Sequence, residues 1–348
     1  MQHAGTAGRP ARLIARQRHT GRRILLSITT AAILGLAAYL VYVGVEGSSR
    51  FVAAYASTTC TRPSDLPYGW TYEAVNYDST LDAGSACAPV GARAGGEVLA
   101  ADGTPIAGWY IPAAARSGDT ATVVVVHGHD ANKSHMLPIA AALHDRFDLL
   151  LVDLRATGYS GGSQQTMGVL EQQDVRAMVD WLVETKAPPR IAALGVSGGA
   201  AATLAAMRTD ERIGAFIGDS MHARIGTLLA QQVDNAELWG ISQPAYPGVW
   251  AAQVAIWLRT GGLDLASVDP IDSLAWLGDR ELLLIHGTAD AEDVPAESVD
   301  ANFEEARRLG IDVTRRDCTG GAHAGLATAC ATEYGTWVSE FLDSAFAD

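Results

Sequence analysis

Apolar residues in this chain fall into two kinds of run. From position 122 onward, short bursts recur: TVVVVHG (122–128), FDLLLVDL (147–154), RIAALGVS (190–197), GAFIGDS (214–220), ELLLIHG (281–287) and IDVTRRD (311–317). Five of the six are nearly continuous, which predicts strands covered on both faces. Stretches near 134–144, 169–185, 199–208, 296–309 and 331–346 separate the bursts and predict helices. Just upstream, 95–111 predicts a hairpin in which EVLAA and PIAGWYI turn at Asp102-Gly103. The alternation gives an α/β class: a mainly parallel eight-stranded sheet flanked by helices, with any site beyond the carboxyl ends of the strands. No internal repeat is visible.

The second kind of run occurs once. Residues 24–45, ILLSITTAAILGLAAYLVYVGV, contain no charge. As a helix rising ~1.5 Å per residue they would reach about 33 Å, enough for a hydrocarbon core of roughly 30 Å. A buried core helix rarely stays uncharged for so long. A cleaved signal peptide is the stronger rival, because Ala54-Tyr55-Ala56 has a small-x-small form, but the run exceeds the usual ~7–15 residues. The expectation is therefore one transmembrane signal anchor in contact with the lipid bilayer. Arg9, Arg12, Arg16, Arg18, Arg22 and Arg23 precede it without any acidic residue, which places the N-terminus in the cytoplasm and the bulk of the chain outside.

Charge and cysteine content fit this division. The 348 residues carry a net charge of −14, and removing the six leading arginines leaves −20 for residues 46–348. An acidic chain lacks the basic footprint of a nucleic-acid binder. All four cysteines, Cys60, Cys87, Cys318 and Cys330, follow the anchor. Adjacent pairing would close loops of 27 and 12 residues, each worth ~3 kcal/mol in the chain-entropy picture. The expected organisation is a basic tail (1–23), the anchor (24–45), a Ser/Thr/Gly-rich stalk or lead-in (46–94) and a folded domain (95–348).

Candidate chemistry begins at Gly195-Val196-Ser197-Gly198-Gly199, a G-x-S-x-G match between a buried strand and an Ala-rich helix. That context predicts a tight turn exposing the Ser197 hydroxyl above a helix N-terminus. A serine needs a base, and nine histidines compete. His323, in a Gly-rich loop after the last strand, completes a nucleophile, acid, histidine order, with His222 second. The acid that orients the imidazole is expected at Asp290, in HGTADAEDVP, with Glu292, Asp293 and Asp219 as competitors.

HGHDANK, DLRATGYSGG, GVSGG, LLLIHGTADAEDVP and GGAH, in this order, resemble the serine hydrolases of the α/β-hydrolase superfamily over residues 95–348. The resemblance is closest to the branch of serine aminopeptidase-like, dienelactone hydrolase-like and acyl-esterase-like members, several of which carry an N-terminal anchor. Ala156-Thr157-Gly158 replaces a common G-H-G run, and Gly198 replaces a Met or Gln after the nucleophile. Neither change removes a catalytic group.

The resemblance implies a catalytic Ser197, Asp290 and His323, and no cofactor. An oxyanion formed at Ser197 needs two fixed donors: the backbone N–H of Gly198 and, by similarity, that of His129, with Asp130 as the neighbouring alternative. His127, His129 and Asp130 also hint at a metal cluster, but no further ligand follows at the next positions, so no metal is expected. Residues 222–265 interrupt the alternation and are the expected lid. Trp239, Tyr246, Trp250 and Trp257 within it would form an apolar wall for an acyl substrate, although Trp250 and Trp257, seven apart, also suit ordinary helix packing. The expected function is hydrolysis of an ester, thioester or amide, against a peptidase or a non-catalytic binding domain.

Overall fold

The computed structural model describes residues 9–55, 60–78, 97–234, 237–238, 241–242, 245–291 and 293–347. Cys87, Trp239 and Glu292 lie outside the described residues. Helix α1 (Arg9–Val52) runs unbroken through the tail, the uncharged stretch and the first residues of the expected stalk. Its segment Arg22–Ser49 is long and apolar enough to cross a membrane and is exposed along its most apolar window.

Eight strands form one sheet: β1 (Glu73–Val75), β2 (Ala107–Ile111), β3 (Thr122–Val126), β4 (Asp148–Asp153), β5 (Ile191–Val196), β6 (Ile213–Asp219), β9 (Glu281–Gly287) and β10 (Val313–Cys318). Their spatial order is β1-β2-β4-β3-β5-β6-β9-β10, with the β1–β2 and β2–β4 pairings antiparallel and the other five parallel. The continuous apolar bursts are explained by strand parity. Val123 and Val125 pack into the layer of α2 (Leu137–Leu143) and α10 (Ala331–Ala345), whereas Val124 and Val126 pack into that of α3 (Glu171–Lys186) and α4 (Gly198–Met207).

The hairpin expectation needs correction. Asp102-Gly103 does turn, with Gly103 at φ +85°, but its first arm keeps only an isolated Leu99–Pro105 bridge. The outermost strand is β1, drawn from the expected lead-in segment. Asn76 explains the exchange. Its side-chain oxygen accepts from Glu97 N and Val98 N, while its amide donates to the Val98 and Ile106 carbonyls, so one side chain satisfies the groups that a ladder would have paired.

The chain leaves β3 for β4 on one side and returns to β5 on the other, so the crevice of the sheet opens between the ends of β3 and β5. Between β6 and α7 (Pro270–Ser273) lie α5 (Ile225–Asp234), the small hairpin β7 (Glu237–Leu238) and β8 (Ile241–Ser242), and α6 (Ala245–Arg259). Helices α8 (Ala296–Leu309) and α9 (Leu326–Ala329) complete the chain.

The end of α1 is built into this body. Gln165 N donates to Val52 O at 3.1 Å, Tyr55 N to Ala156 O at 2.9 Å, and the Gln165 amide to Ala53 O at 2.8 Å. Phe51 and Val52 are buried.

Candidate active site

Ser197 links β5 to α4 with φ +51°, a region that a side chain adopts only when its surroundings force it. The flanking glycines show that force. A Cβ on Gly195 would stand 2.5 Å from Ala200 Cα, and one on Gly199 2.2 Å from the His127 carbonyl oxygen. The turn closes only because both lack that atom. Ser197 N is held by Asp219 O at 2.9 Å.

His323 lies in the loop after β10, and its Nε2 stands 3.0 Å from Ser197 Oγ. Its Nδ1 stands 2.7 Å from Asp290 Oδ2. A carboxylate can only accept, so Nδ1 carries the proton and Nε2 is free to receive one from the serine. The Cys318–Cys330 disulfide closes the loop that carries His323. Cys60 is also disulfide-bonded. Ala289 N donates to Gly321 O at 3.0 Å and Ala324 N to Ser220 Oγ at 3.3 Å, docking the loop on β9 and on the turn after β6. Burial disfavours the imidazolium, but the hydrogen bond and charge of Asp290, with Asp293 and Asp219 nearby, outweigh it and hold His323 above the usual histidine value.

Asp219 and His222, two of the competing residues, are buried. Asp219 accepts from Tyr334 Oη at 2.8 Å and from Ser220 Oγ at 2.8 Å, and burial raises its carboxyl to about 6. His222 is buried, which lowers it to about 4. Burial likewise lowers His127 to about 4, and its ring spans Gly128 O and the Leu154 N–H. Among the described residues one group could offer three metal ligands within 4.8 Å, namely Asp290, Asp293 and His323. Both nitrogens of that histidine already face protein partners.

Gly198 opens α4, so its N–H has no acceptor within the helix. The backbone nitrogen of His129 lies 3.5 Å from where a Cβ on Gly198 would stand, which brings the two expected donors to one spot beside Ser197. The segment bearing His129 is pinned by Lys133, a fully buried residue whose ammonium pairs with Asp153 and whose N–H donates to Asp153 Oδ1 at 2.9 Å. Tyr159 and Trp109 present their ring faces to that ammonium at 4.2 and 4.7 Å.

A pocket of about 420 Å³ opens over Ser197, lined by Phe51, His129, Asp130, Met167, Leu228, Asp293 and His323. Phe51 comes from α1. Its ring lies 5.9 Å from that of His129, whose Nε2 donates to Phe51 O at 3.3 Å. Trp250 and Trp257 are not in this pocket. They are more than half exposed and line a separate groove of about 520 Å³ with Ile225, Leu229 and Leu265. The apolar wall over Ser197 is instead Phe51, Met167 and Leu228, and of these only Leu228 falls within the expected lid. Tyr246 lies in the first turn of α6.

Residues 121–255 match a family described as "alpha/beta hydrolase fold". The uncharacterized protein YfhR of Escherichia coli O157:H7 is 30% identical over 199 residues, covering 56% of this chain and 62% of that relative. This chain thus spans less than two thirds of the length of that curated relative. Among solved structures, the Pyrococcus furiosus esterase Pf2001 superposes with a TM-score of 0.61 at 21% identity over 84% of this chain and 98% of its own. Est1E of Butyrivibrio proteoclasticus, with ferulic acid bound, gives 0.53 at 18% identity over 71% and 98%. The chain thus has the α/β-hydrolase fold, and residues 121–255 within it match the family of that description.

Proposed function

We propose that this chain is a membrane-anchored serine hydrolase that cleaves a carboxylic ester, thioester or amide through an acyl-enzyme. The observation that carries the reading is the continuous relay from Ser197 Oγ through His323 to Asp290, at 3.0 and 2.7 Å. Ser197 Oγ attacks the carbonyl carbon as His323 Nε2 takes its proton. The oxyanion is received by the N–H groups of Gly198 and His129, each such donor contributing ~3 to 4 kcal/mol in hydrolases where one has been removed. The imidazolium, stabilised by Asp290, then protonates the leaving oxygen, sulfur or nitrogen. Water repeats the cycle on the acyl-serine and restores the free hydroxyl.

Residues 24–45 hold the protein in the bilayer with the arginine-rich end in the cytoplasm. The Cys318–Cys330 disulfide suits a domain on the oxidising side. A protease added to intact cells should degrade the domain, and full protection would overturn this orientation.

Ser197→Ala should abolish fluorophosphonate labelling and lower p-nitrophenyl ester turnover by as much as ~10⁶-fold, with an unchanged circular dichroism spectrum. Labelling that survives the substitution would refute the assignment. A peptidase is recognised by faster turnover of aminoacyl amides than of short acyl esters. A non-catalytic domain is recognised by inertness of the wild-type protein toward the probe.

A further inference from the structure

Helix α6 crosses α1 at the end of the uncharged run. A Cβ on Gly44 would stand 3.1 Å from Ala251 O and 3.4 Å from Ala255 Cβ, and one on Gly47 3.0 Å from Ala252 Cβ. Small residues on both helices therefore let the backbones approach closely. Arg259, the only charged residue of α6, donates to Ser48 Oγ at 3.1 Å and Ser49 Oγ at 2.7 Å. That leaves the outward side of α6 with Trp250, Val254, Trp257 and Leu258, which share one helical side and are between 36% and 65% exposed. An uncharged apolar patch containing two indoles is unusual against water.

Exposed apolar residues also stand on α1 at the level of the crossing. Val41 and Val45, on α1 beside the crossing, are 66% and 53% exposed, and Tyr42 lies between them. The crossing at Gly44 and Gly47 lies where a bilayer spanned by residues 24–45 would end, the level at which tryptophan and tyrosine concentrate in membrane proteins.

We propose that the outward side of α6 is a membrane contact, with Trp250, Val254, Trp257 and Leu258 seated in the interfacial layer of the bilayer that α1 crosses. The proposal rests on the anchor reading given above. Its occupant is lipid because α6 packs on α1 at Gly44 and Gly47, the end of the uncharged run, which sets the patch at the surface of the bilayer that the run would cross. It also bears on substrate class. Phe51, a wall of the Ser197 pocket, follows Val45 by six residues, or about 9 Å of helix, comparable to the roughly 5–8 Å depth of one headgroup layer. An amphiphilic acyl compound could thus present its carbonyl to Ser197 with its chain still in the bilayer.

The test uses the full chain in phosphatidylcholine vesicles, with an environment-sensitive fluorophore on Val254→Cys. Ile33→Cys serves as a depth reference within the anchor. Asp119→Cys, in the exposed loop before β3, serves as an aqueous reference. The label at 254 should shift to shorter wavelength and lose more emission to lipid bearing a shallow nitroxide than to lipid bearing a deep one. The label at 33 should show the reverse preference, and that at 119 neither effect. A quenched label at 33 with a label at 254 as water-exposed as that at 119 would overturn the α6 contact and leave the anchor standing. An unquenched label at 33 would overturn both.

Discussion

Gly199→Ala offers a direct test of how the fold sets the reaction geometry. The new Cβ would stand 2.2 Å from His127 O and 2.6 Å from Val126 O, both backbone atoms. Ordinary van der Waals contact begins at 3.4 Å, so β3 and the start of α4 must separate by about 1.2 Å. Overpacking of this kind costs about 1–3 kcal/mol. In a domain of this size each kcal/mol lowers Tm by roughly 2–4 °C. Activity should suffer separately, because the same displacement pulls His129 N away from Gly198 N. A misplacement of ~1 Å can cost about 10²-fold in rate.

The assay is kcat/KM on a short p-nitrophenyl ester, measured well below Tm, beside thermal unfolding by circular dichroism. Gly118→Ala is the control, since a Cβ there meets nothing within 4 Å and its φ is not in the left-handed region. It should leave stability within ~0.5 kcal/mol of wild type. Wild-type Tm and wild-type kcat/KM in Gly199→Ala would refute both the close β3–α4 contact and the paired-donor geometry built on it.

Two further predictions concern His323. The base must be neutral to act, so kcat/KM should rise with pH through its pKa, and the Asp290 interaction should place that limb above the usual ~6.5. Asp290→Asn leaves burial as the largest influence, so the limb should fall below ~6.5 while activity at neutral pH drops by about 10³ to 10⁴-fold; an unmoved limb would exclude Asp290 as the partner of the histidine. Replacing both Cys318 and Cys330 by serine should cost about 3 kcal/mol in urea unfolding, given their separation of 12 residues. It should also slow turnover in conditions where the variant is fully folded, because the released loop carries His323; unchanged turnover would show that the contacts with β9 and with Ser220 hold the loop without the disulfide.

Much of the core and of the Ser197 cluster is legible in the sequence because short-range rules govern both. A buried parallel strand needs apolar residues on both faces, so TVVVV and ELLLI stand out. The turn at Ser197 needs glycines at two fixed offsets, so GVSGG does too. What stays hidden depends on long-range contacts. β1 is three residues long in a polar segment, and the arm expected at the edge in its place is held by the side chain of Asn76 instead of a ladder. The aromatic residues of α6 mislead for a different reason. Both sides of that helix are apolar, with Val249, Ala252 and Ile256 buried while Trp250 and Trp257 are exposed, so periodicity cannot say which side faces inward. Phe51 reaches the pocket by meeting His129, 78 positions away, and no local pattern reports such a meeting.

The Phe51 contact bears on what happens to the domain when it is severed from its helix. A soluble fragment starting after Val52 would lose the ring that closes one side of the pocket, the carbonyl that holds the His129 imidazole, and the acceptor of the Gln165 N–H. Cleavage after Val52, in the cell or in trimming for expression, would therefore leave the pocket over Ser197 with a wider and less ordered mouth. Under the anchor proposed above, membrane residence and the shape of the binding cavity would be carried by one continuous helix, so a change to one would touch the other.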